Sequence, residues 1–390
     1  MRKTVTIGDL GVIITGKTPP TTSKSYYGNY AVFIKPTDIS EQSKYTYETE
    51  EMYSKLAAEK YESSLIPKGA ICVPCIGTIG TKMTMAPCDC YTNQSINSII
   101  CNDNYDSEYV YYLIKNFLPG LKSYNLGTAS GREYVSKSNF EKIELVAEQD
   151  KAIQIKIGVI LSRYDSLIEN YQRQIKLLEE SAQRLYKEWF VDLHFPGYEN
   201  TKIIDGVPEG WEKKKLVDFV DVQYGYAFDG KLFNSNGEGM PILRIRNIPD
   251  GITSDYTTEE ASKNYIVHNG DIVVGMDGIF HINSWSGDDA YLVQRACSFR
   301  PKEECMKGFI FQGIQEPIKF FEKTLVGATV AHLGKKHIDS IELCIPKNFE
   351  LYQPFSKFYS QRQGLLSQIR LLTEARDRLL PKLMNGEIKV

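Results

Sequence analysis

Apolar positions in residues 149–190 follow a single helical stripe for about ten turns. Ile157, Leu161, Tyr164, Ile168, Tyr171, Ile175, Leu178, Ala182, Leu185 and Trp189 recur at alternating steps of four and three. Arg163, Asp165, Glu169, Arg173, Lys176, Glu179, Glu180 and Lys187 are assigned to the other faces. That period predicts a coiled-coil seam, on a helix roughly 55–60 Å long at ~1.5 Å per residue. A lone helix with one apolar stripe needs a partner. Shifting the seam by 194 residues gives Leu351, Phe355, Phe358, Arg362, Leu365, Ile369, Leu372, Arg376, Leu379 and Leu383, of which eight are apolar. The wording recurs too, Gln174-Ile175-Lys176-Leu177-Leu178 returning as Gln368-Ile369-Arg370-Leu371-Leu372. The predicted partner is therefore a second helix of the same chain, and the chain reads as a duplication.

Between the helices the pattern changes to short β-branched and aromatic runs broken by turn clusters. Strands are predicted at Val5-Thr6-Ile7, Val12-Ile13-Ile14, Ala31-Val32-Phe33-Ile34, Ala70-Ile71-Cys72-Val73 and residues 95–100, and a helix over 108–117. His194-Phe195-Pro196-Gly197 ends the first long helix, and Pro208-Glu209-Gly210-Trp211 opens a second globular region. Its landmarks repeat those of the first in order. Lys68-Gly69-Ala70-Ile71 is echoed by Asn269-Gly270-Asp271-Ile272, the Gln94 strand by the Gln294 strand, Gly127-Thr128 by Gly327-Ala328, and Ile143-Glu144-Leu145 by Ile341-Glu342-Leu343. Offsets of 201, 200, 200 and 198 residues are too regular for chance. Elsewhere the halves differ almost completely. The predicted fold class is α/β (α+β): two similar domains, with mostly antiparallel sheets and long loops, joined by two long antiparallel helices in an intramolecular coiled coil with a pseudo-two-fold internal repeat. The expected boundaries are 1–148, the first helix over 149–192, then 193–345, and the last helix over 346–390. One scaffold with two loop sets suits a molecule that grips two different things at a separation the helices set.

Composition narrows the class. At 390 residues, 42% hydrophobic and 24% charged, the chain is an ordinary globular one. No apolar run reaches the ~18 residues of a membrane span, Met1-Arg2-Lys3-Thr4 leads into a strand pattern rather than a signal peptide, and the eight cysteines show no disulfide framework. A cytoplasmic location without membrane contact is expected. The net charge of −3 excludes a broad positive field that coats nucleic acid unaided. Binding to DNA would need local patches, or charge from a partner. The last segment, 346–390, carries 8 basic against 4 acidic residues. With Tyr186, Trp189 and Phe190 on the first helix, it points to docking surfaces on the helices; the plainer alternative is a structural clasp.

The residues resemble the specificity subunits of Type I restriction–modification systems over the whole chain. The most specific marks are Leu185-Tyr186-Lys187-Glu188-Trp189-Phe190-Val191 through Phe195-Pro196-Gly197, then Pro208-Glu209-Gly210-Trp211, and the tail Arg378-Leu379-Leu380-Pro381-Lys382-Leu383-Met384-Asn385-Gly386-Glu387-Ile388. Gly77-Thr78-Ile79-Gly80 looks like the family's strand-turn element; the second domain departs there, with Gly275-Met276-Asp277-Gly278. The resemblance implies two target-recognition domains that each read one part of a bipartite, asymmetric site on double-stranded DNA. It also implies modification (methyltransferase) subunits that dock on the helices and use S-adenosylmethionine, and a restriction (motor-nuclease) subunit that uses ATP and magnesium. No cofactor would be bound by this chain.

Base-reading candidates are polar residues at loop tips, because arginine and lysine pair with guanine edges and asparagine and glutamine with adenine. In the first domain these are Lys17, Thr18, Ser23, Lys24, Tyr26, Lys35 and Arg132; in the second, Lys231, Arg244, Arg246, Asn247, Arg295, Lys335 and Lys336. Each competes with a plain reading as solvated surface. Arg244-x-Arg246-Asn247 stands out: in a strand, both arginines project to one face. Cys72-x-x-Cys75 with Cys88-x-Cys90 raises a zinc site, but the spacing is loose and Cys72 sits in an apolar strand, so no metal is expected. His332 and His337, beside Lys335 and Lys336, suit a loop near phosphate. The 25 tyrosines fit sheet propensity better than base stacking.

Catalytic signatures are absent. Thr18-Pro19-Pro20-Thr21 lacks the amide or carboxylate of an adenine-methylating loop, there is no phosphate-binding Walker loop, and Pro249-Asp250 with Glu260-Ala261-Ser262-Lys263 misses nuclease spacing by one residue. Catalysis is left to partners. The competing class is a scaffold or adaptor whose two modules bind polypeptides or sugars, consistent with the acidic balance. The reader of a larger nuclease is disfavoured because the chain closes after the second helix.

Overall fold

A computed structural model describes residues 2–127, 131, 133–325 and 331–390. The chain divides into two compact units, one of residues 1–170 and 371–390, the other of residues 171–370.

The first unit is built on a four-stranded antiparallel sheet in the order Gly11–Thr15, Ile96–Cys101, Ile71–Pro74, Thr84–Met85. Strand Arg2–Thr6 pairs with Glu144–Glu148, and Thr6 and Asp9 cap the short helix Ile7–Leu10 reciprocally. Ile7 thus begins a helix rather than ending a strand. A smaller sheet joins Met52–Tyr53, Tyr27–Ile34 and Tyr91–Thr92, the last two in parallel. Helix Ser107–Phe117, capped by the Asp106 carboxylate, buries Tyr109, Val110, Tyr111, Tyr112, Leu113 and Ile114.

The second unit repeats this plan. Its main sheet runs Val220–Tyr224, Ala296–Pro301, Ile272–Gly275, Ile282–Ser284, again all antiparallel. Trp211–Lys215 pairs with Glu342–Pro346 as the first strand of the chain pairs with Glu144–Glu148. The smaller sheet again has one parallel pair, Met240–Leu243 with Ala290–Leu292. Gly69 and Gly270, at φ +85° and +84°, turn the chain into the same central strand of each unit, a left-handed conformation glycine adopts without cost.

The long helices are Lys151–Tyr186, 36 residues, and Gln353–Asn385, 33 residues. The first ends in a widened turn over Lys187–Val191, closed by the Asp192 N–H on the Lys187 carbonyl. In the first unit Ile157, Leu161 and Ile168 are buried and Tyr164 half-buried; Leu372 and Leu379 are half-buried, and Leu383 and Met384 buried. In the second, Ile175, Ala182 and Phe355 are buried, and Tyr171, Leu178, Leu185, Phe358, Leu365 and Ile369 half-buried. The helices run antiparallel in both: Tyr186 and Trp189 pack edge-on against Phe355 while Glu179 meets Arg362, and in the first unit Asp165 meets Arg376.

Those ion pairs correct the seam assignment. Asp165 is buried, not turned outward, and Glu179 faces the last helix. Each meets one of the two arginines that interrupt the apolar stripe. Asp165 takes Arg376 Nη1 on one oxygen and the Tyr112 hydroxyl on the other, both buried. Arg362 gives Nε to Glu179 at 2.6 Å and Nη2 to Asn283 Oδ1 at 2.7 Å. Tyr186, Trp189 and Phe190 are likewise not a docking face. Phe190 is buried against Trp211 and Phe309, and all three aromatics pack on Phe355.

Breaking one partner of the Asp165–Arg376 pair strands a buried charge. Asp165→Ala is expected to cost about 3–5 kcal/mol, whereas replacing both residues with apolar ones of similar volume costs far less. Urea unfolding of the single and double variants measures this, and a single variant as stable as the parent would contradict it.

Candidate nucleic-acid interface

In the first unit the loop leaving strand Gly11–Thr15 lies directly on the chain before strand Ile96–Cys101. A Cβ on Gly16 would come within 2.1 Å of the Thr92 carbonyl oxygen, so only glycine fits. Lys17 N–H donates to that carbonyl at 2.9 Å, the Lys17 carbonyl accepts the Tyr53 hydroxyl at 2.5 Å, and Tyr27 donates to the Pro19 carbonyl at 2.9 Å. Thr18 bonds the Gln94 side chain. The backbone is tied down, while the side chains of Lys17, Thr18 and Lys24 stay exposed. Ser23 closes a turn by accepting the Tyr26 N–H, and Tyr26 receives Lys60 Nζ at 2.7 Å. Lys35 is mostly covered, and its ammonium is engaged by Glu50 at 2.7 Å and Glu51 at 3.2 Å. It is spoken for within the fold. Arg132 lies outside the described residues.

The second unit has the same crossing. A Cβ on Gly225 would meet the Val293 carbonyl oxygen at 2.1 Å, and Gln294 N–H donates to the Tyr226 carbonyl at 2.8 Å. Gln94 and Gln294 are both exposed there. Lys231 sits exposed in a turn capped by Asp229. Lys335 and Lys336 open the helix Lys335–Asp339, both exposed, with Lys335 Nζ 6.0 Å from the centre of the Tyr224 ring and 3.2 Å from Asp339.

Arg244 and Arg246 are not strand neighbours. The strand Met240–Leu243 ends before Arg244, and Ile245–Asn247 is a tight helical turn. Asn247 Oδ1 accepts the Arg244 N–H at 2.9 Å, closing that turn. Arg246 makes a two-pronged pair with Asp255, Nη2 at 2.6 Å and Nε at 3.1 Å, and the Arg244 guanidinium lies 5.3 Å from the Phe233 ring centre. The pattern read as a strand because three apolar residues precede it; the Asn247 amide captures the backbone instead.

Backbone hydrogen bonds align the two loop sets residue by residue. Cys75 N–H donates to the Ser95 carbonyl at 2.7 Å as Met276 does to Arg295 at 2.8 Å; Gly77 donates to Glu133 at 3.0 Å as Gly278 does to Ala331 at 3.0 Å. Val135 donates to Cys75 at 2.8 Å as Leu333 does to Met276 at 2.7 Å. A glutamate carboxylate then holds the next turn, Glu133 on Ile79 N–H and Glu322 on Phe280 N–H. Gly278, at φ +70°, therefore takes the place of Gly77, at φ +93°. The departure expected at Gly275-Met276-Asp277-Gly278 is one of alignment: the loops share a backbone. Carrying the 201-residue offset of Gly69 and Gly270 forward would have revealed Asp277, which sequence reasoning missed. Asp277 takes His332 Nδ1 at 2.5 Å and Arg295 Nη1 at 3.2 Å. Arg295 holds φ +72°, a conformation costing about 1–2 kcal/mol in a residue with a Cβ.

Two copies of one sheet, each presenting its own polar loops on a shared backbone frame, define a duplicated recognition module. The chain belongs to the family of Type I restriction modification DNA specificity domains, whose model matches residues 2–180 and 208–363. It is 27% identical over 416 residues to the Type I restriction enzyme MjaIX specificity subunit of Methanocaldococcus jannaschii, covering 98% of this chain and 93% of that one. It is 34% identical over 177 residues, 44% of this chain and 38% of the other, to the Type I restriction enzyme HindI specificity subunit of Haemophilus influenzae. The fold resembles that of the Type-I restriction-modification system S subunit from M. genitalium, with a TM-score of 0.57 at 18% identity over 98% of this chain and 96% of that one. No helix among the described residues is long and apolar enough to cross a membrane.

The cysteines do not converge. Cys72 and Cys90 pack in one apolar cluster and Cys75 in another, while Cys88 is exposed. Burial pushes the Cys72 thiol up to about 11 and the Cys75 thiol up to about 12, and raises Cys90 as well. Because the thiolate is the reactive form, iodoacetamide at pH 8 is expected to modify Cys88 in the native protein and Cys72, Cys75 and Cys90 only on unfolding. Mass spectrometry of the native digest checks this; rapid labelling of the three buried thiols would contradict it.

Proposed function

We propose that this chain is the DNA-reading subunit of a Type I restriction–modification complex, with each unit reading one part of a split, asymmetric site on double-stranded DNA. The single observation that carries the reading is the shared hydrogen-bond frame bearing different loop chemistry in its two copies. A scaffold that read the same thing twice would have no use for the difference. Reading is assigned to the exposed loop residues Lys17, Thr18 and Lys24 in the first unit, and in the second to the exposed Lys231, Arg295, Lys335 and Lys336 and the half-buried Arg244. Ser23, Tyr26, Asn247 and Arg246 shape or brace the loops. Phosphate contacts would position each unit, and base-edge contacts would specify the sequence.

The chain's own role is recognition, without a catalytic step. Methyltransferase subunits would bring S-adenosylmethionine, and a motor-nuclease subunit ATP and magnesium. The net charge of −3 favours a reader that binds DNA firmly only with such partners; it is also the one feature favouring a polypeptide-binding scaffold.

Co-expression with a modification subunit, followed by methylation mapping, tests the reading. The expected result is adenine methylation at a split motif, with exchange of residues 1–145 for those of a relative changing only one half. Affinity for the motif should fall steeply between low and moderate salt. Methylation of both halves altered by the exchange, or binding indifferent to salt, would contradict it.

A further inference from the structure

The hydrogen bonds shared by the two units single out three matched positions, and in the second unit their side chains meet. In the second unit they are Arg295, Asp277 and His332. The matched positions in the first are Ser95, Ile76 and Tyr134, fixed by the paired backbone bonds above and by equivalent bridges, Ile76 with Tyr134 and Asp277 with His332. All three positions change together, from one neutral set to a set with a guanidinium, a carboxylate and an imidazole.

We propose that this trio is the specificity element of the second unit: Arg295 reads a guanine in the second half-site, and Asp277, shared with His332, is the positioning residue that aims it. The proposal rests on the DNA-reading function above. The first unit closes the matching hydrogen bonds around Ser95, Ile76 and Tyr134, so those bonds need no charge at these positions, while the positive φ belongs to Arg295 and not to Ser95. The charged trio is therefore kept for something other than folding. The Arg295 side chain is 58% exposed, and the clamp on it uses Nη1 alone. Asp277 Oδ1 takes His332 Nδ1 at 2.5 Å and also accepts from Arg295 Nη1 at 3.5 Å, with Oδ2 3.2 Å from the same nitrogen, so His332 fixes the carboxylate that fixes the arginine. Arg295 also holds φ +72°, one of three non-glycine residues among those described to do so, and its carbonyl is secured by Met276 N–H at 2.8 Å. An arginine held at backbone and guanidinium loses little freedom when it pairs with a base, and its forked donors match guanine O6 and N7.

The test uses the complete complex with its modification subunit and maps the methylated motif. Arg295→Ser installs the residue at the matched hydrogen-bonding position of the first unit. It is expected to relax the requirement for one G·C pair in the second half-site by roughly ten- to hundredfold, leaving the first half-site unchanged. Arg295→Lys, which keeps charge but not the fork, should relax the same position, and Asp277→Asn should relax it partially. An intact motif in all three variants, or an equal loss across every position, overturns the assignment. A parent complex that methylates no split motif overturns the DNA-reading function itself.

Discussion

A buried guanidinium must meet a carboxylate, and that requirement fixes how the two long helices pair. Arg376 lies across from Asp165 and Arg362 from Glu179. Fourteen residues separate the acids on the first helix, and fourteen separate the arginines on the last. Within each unit the pair sets the antiparallel register of the two helix segments that the unit contains. Apolar side chains alone tolerate a slip of one heptad; a stranded buried charge, worth several kcal/mol, does not. Each pair also ties the long helices to other elements of its own unit. Asp165 is held by Tyr112 of the helix Ser107–Phe117, and Arg362 by Asn283 of the strand Ile282–Ser284.

On that support each unit repeats a sheet whose strand order, glycine turns and loop-closing hydrogen bonds match. Gly16 and Gly225 let the first sheet strand's exit loop press on the chain entering Ile96–Cys101 and Ala296–Pro301, and Gly77 and Gly278 turn the neighbouring loop. The backbone bonds are satisfied internally, so exposed side chains can vary without cost to the fold. The divergence between Ser95 and Arg295, or between Ile76 and Asp277, is what a shared frame permits.

Much of this was legible in the sequence, for physical reasons. A long seam repeats its signal many times, so periodicity found both helices, and strands such as Ile71–Pro74 and Ile96–Cys101 were evident from β-branched runs. Landmarks such as Gly69 and Gly270, at φ +85° and +84°, betrayed the duplication because their backbone conformation admits few residues. What was missed depended on tertiary partners. Asp165 and Glu179 looked like solvated faces until the arginines opposite were placed. Tyr186, Trp189 and Phe190 looked available until Trp211 and Phe355 covered them. Arg244 and Arg246 looked like a strand pair until the Asn247 amide closed a turn, and Lys35 looked available until Glu50 and Glu51 neutralised it. Periodicity reports burial well and partner identity poorly.

The central claim is that two unlike loop sets on one frame read two unlike stretches of DNA. Hydroxyl-radical footprinting of the chain with its modification subunits, on DNA carrying the methylated site, tests it most directly. The account predicts two protected tracts of different sequence with accessible DNA between them. One continuous tract, or protection indifferent to sequence, would contradict it.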